Sequence, residues 1–151
     1  RDDVESRGLG DVYKRQRRNR AQRCLRLTGF EFEEYMAQVL RDNGFRHVEV
    51  TVECGDQGVD ILAVRGGKTY AIQCKNYAGA VGNAAVQEAY AGAEYYGCDV
   101  PAVVCPTMFT ASARELAEST GVELWDGERL SHMMRVSGRR PHHDPRRDDE
   151  L

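Results

Sequence analysis

Three polar residues lie inside two strongly apolar stretches of the chain, and their types suit metal-dependent chemistry. Asp60 lies within VDILAV, and Gln73 and Lys75 lie in YAIQCK. An ionised group in such surroundings is costly to bury without a partner. A structural Asp-Lys ion pair is one interpretation and a shared functional site is the other. The third polar group and the glycine-rich loop just before Asp60 favour the site.

A predicted hairpin brings these three side chains together. The Gly-Gly pair at residues 66–67 is typical of a two-residue turn, and a symmetric pairing around it places Asp60 opposite Gln73. Side chains alternate along a strand, so Gln73 and Lys75 share a face and Lys75 is diagonal to Asp60. Directly opposed Cβ atoms are roughly 5 Å apart and diagonal ones about 7 to 8 Å apart. The three polar tips can therefore converge on one small site.

A fourth candidate comes from a helix predicted around residues 32–40. At about 100° per residue, Glu33 lies within roughly 20° of Leu40 and inside the apolar stripe, whereas Glu31 points the opposite way. Glu33 is therefore the carboxylate on the buried side of this helix. It is either an edge residue that extends its charge into water or, beside a metal site, a direct or water-mediated ligand.

Two carboxylates, an amide oxygen and a lysine suit the hydrolysis of a phosphodiester assisted by Mg²⁺. Oxygen ligands match a hard cation that keeps several waters, and such a cation polarises the phosphoryl group and activates a water. Lys75 would orient that water or stabilise the developing negative charge. Nucleophilic catalysis is not indicated, because the cysteines have no obvious histidine partner and the chain contains neither GxSxG nor GxxxxGK[ST].

The elements that must position these residues predict an α/β fold. A helix is followed by three strands, and then helices alternate with strands to a short closing helix, in the order α-β-β-β-α-β-α-β-α. The predicted strands cover residues 47–52, 59–65, 69–76, 101–105 and 122–125. A hairpin followed by strand-helix-strand steps implies a mixed central sheet flanked by helices on both faces.

The chain is expected to form one domain over residues 27–136 between two loose ends. Residues 1–26 lack apolar periodicity, and residues 8–16 resemble translated sequencing-adapter sequence more than a protein element, so this leader is predicted to be poorly ordered or non-native. Residues 137–151 are rich in Arg, His, Asp and Pro and have almost nothing to bury. This tail is predicted to be disordered.

Charge is distributed unevenly along the chain. Residues 1–26 hold nine Lys/Arg against four Asp/Glu, whereas residues 27–136 hold eight against sixteen. An acidic central region counts against a large surface for sequence-independent phosphate binding. Contact with nucleic acid would have to use a local patch, the basic arm, bound metal or a partner.

Composition indicates the compartment. The chain has no run of 18 apolar residues, so no membrane association is expected. Its five cysteines form no CxxC pair or zinc pattern, which is typical of reduced thiols in the cytoplasm. Cys74 and Cys105 lie in apolar strand-like runs and are interpreted as small core residues.

Five short motifs resemble, in order and spacing, the catalytic domain of the Mrr-type restriction endonucleases, a branch of the PD-(D/E)xK nuclease superfamily. The resemblance spans about residues 28–134 and implies a restriction-endonuclease-like fold. The motifs are Phe32-Glu33, Gly55-Asp56-Gln57-Gly58-Val59-Asp60, Ile72-Gln73-Cys74-Lys75, Val86-Gln87-Glu88 and Leu124-Trp125-Asp126-Gly127.

The resemblance implies roles for particular residues. It implies a metal ligand at Asp60, a QxK version of the (D/E)xK motif at Gln73 and Lys75, and the helix carboxylate at Glu33. These four form the predicted catalytic set, with Mg²⁺ as cofactor and Mn²⁺ as a substitute. Gln87 matches a glutamine that contacts substrate or the water network of the site, a plain surface amide being the alternative.

Two residues of the loop before Asp60, Asp56 and Gln57, complete the predicted substrate-binding set. Gln73 departs from the usual acid of the motif: its amide oxygen can ligate Mg²⁺ but adds no charge, which places more of the metal affinity on Asp60 and Glu33. Val59 stands where the superfamily name has proline. The separate DNA-binding domain usual in the family is not recognised in this chain, which favours reliance on another domain or subunit.

The resemblance implies a Mg²⁺-dependent DNA endonuclease of restriction or defence. One alternative is a nuclease-like module that binds nucleic acid or protein and is catalytically weak, which the acidic central region favours and the intact Asp60 and Lys75 oppose. Another is a junction-resolving repair nuclease, which would need a homodimer.

Overall fold

A five-stranded mixed sheet forms the centre of the fold in the computed structural model, which describes residues 20–51 and 58–150. The strands lie side by side in the order of the sequence. They are β1 (Arg46–Val50), β2 (Ile61–Arg65), β3 (Lys68–Cys74), β4 (Val100–Val104) and β5 (Glu123–Trp125). The first three strands pair antiparallel, and β3, β4 and β5 pair parallel.

In the described part of the chain, four α-helices cover the sheet, and they are α1 (Gly29–Asp42), α2 (Asn83–Tyr96), α3 (Ala111–Thr120) and α4 (Gly127–Ser137). Adjacent residues of β4 show that both faces are covered. Val104 packs into the core formed by α1 and α4, whereas Val103 packs into a second core formed by α2 and α3. The predicted fold class, a mixed sheet between helices, is confirmed, and the α/β element order agrees with the prediction apart from short 3-10 helices near each end.

Local signals set the ends of the helices. The Thr28 side chain accepts a hydrogen bond from the Glu31 amide while the Glu31 carboxylate accepts one from the Thr28 amide, and this capping box begins α1. Gly97 and Gly121 adopt the left-handed conformation that ends α2 and α3. Within the described residues, no helix is long and apolar enough to cross a membrane.

Two strands are shorter than predicted at the end where the candidate residues lie. β2 begins at Ile61 rather than at residue 59, and β3 ends at Cys74 rather than at residue 76. The backbone remains bonded beyond both limits, because the Asp60 amide donates to the Ile72 carbonyl and the Lys75 amide donates to the Val104 carbonyl, each at 2.9 Å. Asp60 and Lys75 therefore sit just outside the regular strands but are still fixed by the sheet.

Two residues ahead of residue 27, the N-terminal limit predicted for the domain, lie in the core of the structure. Ala21 and Cys24 are fully buried in the core shared by α1 and α4. The Ala21 amide donates to the Ser131 hydroxyl at 3.0 Å, and the Cys24 thiol lies 4.0 Å from the Met134 sulfur. A single turn of chain is too short to show apolar periodicity, so the sequence pattern does not predict this burial.

The segment after residue 136, predicted to be disordered, makes polar contacts with α1. The Glu31 carboxylate accepts a hydrogen bond from the Asp144 amide at 2.9 Å and contacts His143 Nδ1 at 2.7 Å. Arg139 pairs with Asp42 at 2.6 Å. Glu31 is consequently 6% exposed, although helical periodicity placed it on the side away from the core.

Candidate active site

The hairpin pairs in the predicted register. Ile61 lies opposite Ile72 and the pairing continues without a shift to the turn. Gly66 and Gly67 have φ values of +59° and +75°, the left-handed conformations that such a tight turn requires. This register carries Asp60 to the open end of the hairpin, beside the end of β3.

Asp60 is held by the strand that carries the QxK motif. Its Oδ2 accepts a hydrogen bond of 2.7 Å from the amide of Cys74, the residue between Gln73 and Lys75. The carboxylate is thus oriented by backbone rather than by a flexible side chain, so its position depends on the sheet itself. Preorganisation of this kind suits a metal ligand.

Gln73 and Lys75 share a face, as predicted, and both reach Glu88 of α2. The Gln73 Nε2 atom donates to Glu88 Oε2 at 2.6 Å, and the Lys75 Nζ lies 3.3 Å from the same oxygen. An ionised carboxylate only accepts hydrogen bonds, so Glu88 fixes which end of the Gln73 amide is nitrogen. Glu88 therefore orients both polar side chains of the motif.

The carbonyl oxygen of the Gln73 side chain is buried without a partner. The residue is 4% exposed, and its Oε1 makes no hydrogen bond within the part of the chain that the structure describes. A buried acceptor left unpaired is unfavourable by roughly 1 to 3 kcal/mol. A cation or a water bound at this oxygen would remove that penalty.

Glu33 of α1 interacts with Asp60 from the other side of the sheet end. Burial, followed by the negative charge of Asp60 and a side-chain hydrogen bond with it, raises the pKa of Glu33 to about 7. A carboxyl that ionises only near neutral pH beside a second carboxylate is a place where a divalent cation would be stabilising. The helix therefore supplies the second carboxylate where the sequence pattern predicted it.

Lys75 retains its positive charge in this environment. Burial alone would lower its pKa, but the Glu88 carboxylate and the neighbouring Tyr77 together leave the pKa raised. Its Nζ also lies 3.5 Å from the Tyr77 hydroxyl and 5.5 Å from the centre of that ring. The side chain is thus a cation positioned by two neighbours, with capacity for a further hydrogen bond to a substrate.

The site consists of two linked groups rather than one direct cluster. Glu33 and Asp60 form one group, Gln73 and Lys75 form the other around Glu88, and the Cys74 amide joins them through Asp60. Among the described residues, no hydrogen bond connects Asp60 with Gln73 or Lys75, and no three His, Cys, Asp or Glu side chains are close enough to hold a metal. Two carboxylates and one amide oxygen still form a donor set that fits Mg²⁺, which takes one or two carboxylates and keeps several waters.

Glu88 is the residue of the site that the sequence analysis did not select. Gln87, which was selected, is exposed on α2 and has no polar partner within the described residues. Helical spacing distinguishes the two: Glu88 is three residues after buried Ala85 and four before buried Gly92, on the edge of the stripe that faces the sheet. Asp56 and Gln57 lie outside the described residues.

Two glycines of the resembling motifs are explained by close packing. A Cβ on Gly58, whose φ is +67°, would lie 2.8 Å from the Glu88 carbonyl oxygen, so the loop before Asp60 can approach α2 only without a side chain. A Cβ on Gly127 would lie 2.4 Å from the Pro106 carbonyl oxygen. In the same motif Trp125 is fully buried and Asp126 caps α4, so that motif has a structural role.

Cys74 and Cys105, both among the described residues, are unsuited to cysteine chemistry. Cys74 packs against the α1 core, and burial, together with the charges of Asp60 and Glu33, raises its pKa well above the usual range. Burial also raises the pKa of Cys105 to about 11. Both remain neutral thiols, consistent with their interpretation as small core residues.

Comparison with known proteins identifies the same region. Residues 24–134 match the Mrr_cat family model, described as restriction endonuclease. No curated protein matches the chain.

Two solved structures share the fold. A protein of unknown function, AF1548, has a TM-score of 0.63 and 23% identity, covering 74% of this chain and 67% of its own. The DNA modification-dependent restriction endonuclease AspBHI has a TM-score of 0.62 and 17% identity over 83% of this chain. The match spans 36% of AspBHI.

Proposed function

Because the chain belongs to the Mrr_cat restriction endonuclease family, we propose that it hydrolyses DNA phosphodiester bonds with Mg²⁺ at the open end of its hairpin, in restriction or defence. The observation that carries the proposal is the buried, unpartnered Oε1 of Gln73, found at the same end of the hairpin as Asp60, whose neighbour Glu33 has a pKa raised to about 7. Both features are unfavourable in the protein alone and become favourable around a divalent cation.

Each residue has a proposed task. Asp60, Glu33 and the Oε1 atom of Gln73 would hold Mg²⁺, or Mn²⁺ in its place, and the ion would supply positive charge to the phosphoryl group and favour ionisation of a water. Lys75 is close enough to this end of the sheet to orient that water or to neutralise charge on the phosphate. Glu88 is a positioning residue, since it acts through Gln73 and Lys75.

The reaction is a simple displacement. Water gives up a proton to solvent as its oxygen forms a bond to phosphorus, the bond between phosphorus and one ester oxygen breaks, and the leaving alkoxide takes up a proton from solvent. Lys75 carries the only side-chain positive charge that the described residues place within this constellation. Its loss should therefore lower the rate of the chemical step more than the affinity for DNA.

Plasmid cleavage tests the proposal. Supercoiled plasmid and branched DNA are incubated with wild type, Asp60→Asn and Lys75→Ala in Mg²⁺ or Mn²⁺. Asp60→Asn keeps an acceptor for the Cys74 amide while removing the charge, so the fold is retained. Each variant is expected to lower the cleavage rate on the order of 100-fold or more. Lys68→Ala, an exposed lysine at the other end of β3, serves as the matched control and should cleave as wild type does.

Equal cleavage by wild type and both site variants would contradict the assignment of this site. The neutral Gln73 in place of an acid favours a second candidate, a nuclease-like module that binds without turnover. That function predicts no cleavage by any variant and no heat of Mg²⁺ binding in calorimetry. Preference for branched DNA, with a dimer in solution, would indicate a junction-resolving enzyme.

A further inference from the structure

The two terminal segments of the described chain pack together on the α4 side of the fold. Ala21 donates to the fully buried hydroxyl of Ser131, and Cys24 contacts Met134, so the short N-terminal 3-10 helix (Arg23–Arg26) lies along α4. The chain that follows α4 then passes beside this helix. Segments more than 100 residues apart in the sequence thus form one surface.

This surface is strongly basic. Two adjoining cavities, of about 640 and 210 Å³, share Arg23, Arg140 and Pro141 in their walls. Within the described residues, no aspartate or glutamate lines either cavity. The arginine surface, as we name it, comprises Arg20, Arg23, Arg26, Arg135, Arg139 and Arg140.

Several of its charges are not used to hold the fold together. Arg139 is paired with Asp42, whereas Arg23, Arg26 and Arg140 are exposed and make no ion pair or hydrogen bond with the rest of the described chain. Each guanidinium presents donors arranged to bind a phosphate through two hydrogen bonds. A third cavity that Arg140 also lines contains the acids Glu31, Glu34 and Asp144, but each of these is paired, with His143, Arg147 and Arg146 respectively. Three unpaired guanidinium groups on one surface attract a polyanion.

The arginine surface is connected to the candidate site through one residue. Asn76, which directly follows Lys75, donates from its Nδ2 to the carbonyl oxygens of Cys24 and Leu27, at 2.9 and 3.0 Å. The 3-10 helix that carries Arg23 and Arg26 is therefore anchored to the end of β3. Arg23 and Arg26 are thus carried by a segment that is hydrogen-bonded to the residue next to Lys75.

We infer that the arginine surface binds the sugar-phosphate backbone of duplex DNA next to the phosphate that is cut. The inference rests on the proposed nuclease function and supplies what the acidic central region lacks. Residues 27–136 carry twice as many acidic as basic side chains, and the surface takes most of its arginines from the segments that flank them. Because phosphates are the same at every step of DNA, this contact is independent of base sequence.

Binding measured without cleavage tests the inference. A fluorescein-labelled duplex is titrated in EDTA at several salt concentrations, and fluorescence anisotropy gives the Kd at each. The test variant replaces three exposed arginines, Arg23→Gln, Arg26→Gln and Arg140→Gln. Each lost phosphate contact should reduce the slope of log Kd against log salt by roughly 0.9, so the slope should fall by about 3 if all three contribute. At low salt, affinity should fall more than 10-fold.

A second triple variant controls for net charge. It removes three exposed cations at the turn end of the hairpin, Arg46→Gln, Arg65→Gln and Lys68→Gln. Lys68 and Lys75 are about 23 Å apart along β3, at 3.3 Å per residue. This variant should bind DNA with the affinity and salt slope of wild type. Circular dichroism should show both variants folded, because every substituted residue is exposed.

The outcomes separate this inference from the proposed function. The inference is overturned if both triple variants bind alike, or if equimolar inorganic phosphate releases the DNA, since the surface would then be a general charge effect or a small-anion site. Neither of those results bears on the cleavage assay, which tests the catalytic site separately. If only the arginine variant loses binding but Asp60→Asn cleaves as wild type does, the surface is supported and the assignment of the catalytic site fails.

Discussion

The Glu33 and Asp60 pair makes the metal-free protein sensitive to pH in a direction that one substitution can test. The pKa of Glu33 is raised from 4.5 to about 7 in the folded protein, first by burial and then by Asp60. A carboxyl with a raised folded-state pKa contributes stability that is fully present below pH 4.5 and is lost as pH rises through 7. The metal-free wild type should therefore lose stability between pH 5 and pH 8.

The expected magnitude follows from the size of the change. At 1.36 kcal/mol per pKa unit, raising the pKa from 4.5 to 7 corresponds to about 3 kcal/mol. Because Glu33 is only half-buried, solvent screening reduces this to roughly 1 to 2 kcal/mol. Glu33→Gln keeps the shape and removes the charge. When the pH is changed from 5 to 8, the free energy of unfolding of Glu33→Gln should rise by this amount relative to that of wild type.

Urea unfolding in EDTA at pH 5 and pH 8 measures this double difference, which cancels packing effects that do not depend on pH. Glu49→Gln, an exposed glutamate on β1, is the control and should show no such gain. Mg²⁺, added in a second series of measurements, should stabilise wild type more than Glu33→Gln, because a ligand that binds only the folded protein shifts the equilibrium toward it. If the difference between Glu33→Gln and wild type is the same at both pH values, the two carboxylates do not interact and the reasoning is refuted.

Three further predictions concern other contacts. Glu88→Gln should lower cleavage about 10-fold with little change in DNA affinity, because Lys75 loses its anionic partner; an unchanged kcat in single-turnover assays would exclude the positioning role. Gly127→Ala should destabilise by roughly 1 to 3 kcal/mol in thermal unfolding, since its Cβ would meet a backbone oxygen at 2.4 Å; an unaltered Tm would contradict the close packing. The contact of His143 with Glu31 should protect the C-terminal segment from proteolysis best between about pH 4.5 and 6.5. Hydrogen bonds with Glu31 and Asp148 raise the His143 pKa, so the stability that His143 contributes is lost as pH rises. Hydrogen bonds from Asp144, Thr28 and His143 lower the Glu31 pKa to about 2, so the stability that Glu31 contributes is lost as pH falls. Rates of proteolysis that do not depend on pH would argue against this contact.

The hairpin register was predictable because turn chemistry and side-chain alternation act locally. Two glycines with positive φ fix the turn, and every pairing up to Asp60 follows by counting. The position of Glu33 was predictable for a similar reason, since an apolar stripe on a helix determines which side faces the sheet. Each of these two predictions needed information on only one local unit, the hairpin or the helix.

Predicting the role of Glu88 required knowledge of how two elements pack together. Its side chain is 49% exposed, so burial alone does not single it out, and its role depends on where α2 lies relative to Gln73 and Lys75. Periodicity could have favoured it over Gln87, but the hydrogen bonds that define its role are tertiary contacts. The predicted substrate contact of Gln87 stays a prediction, and Glu88 is the neighbouring residue whose contacts the structure shows.

The contacts at the chain ends are mainly polar or very local, and such contacts leave little trace in the sequence pattern. Ala21 and Cys24 bury small side chains from one turn of chain, and the C-terminal segment is attached through Glu31, His143 and Asp144. Hydrophobic periodicity carries no information on contacts of this type. The arginine surface depends on both ends, which is why charge counts along the sequence did not reveal it.

The strand order of the sheet has a consequence for how the molecule is made. Every strand is bonded to its neighbours in the chain, so the sheet can grow from β1 to β5 as synthesis proceeds, with short loop closures at each step. Asp60, Gln73, Lys75 and Glu88 have all emerged by the end of α2 at Tyr96. The contact between Ala21 and Ser131 spans 110 residues and must wait for α4. A nascent chain would thus complete its candidate catalytic centre before the surface that is proposed to hold DNA, which forms only once its last helix is in place.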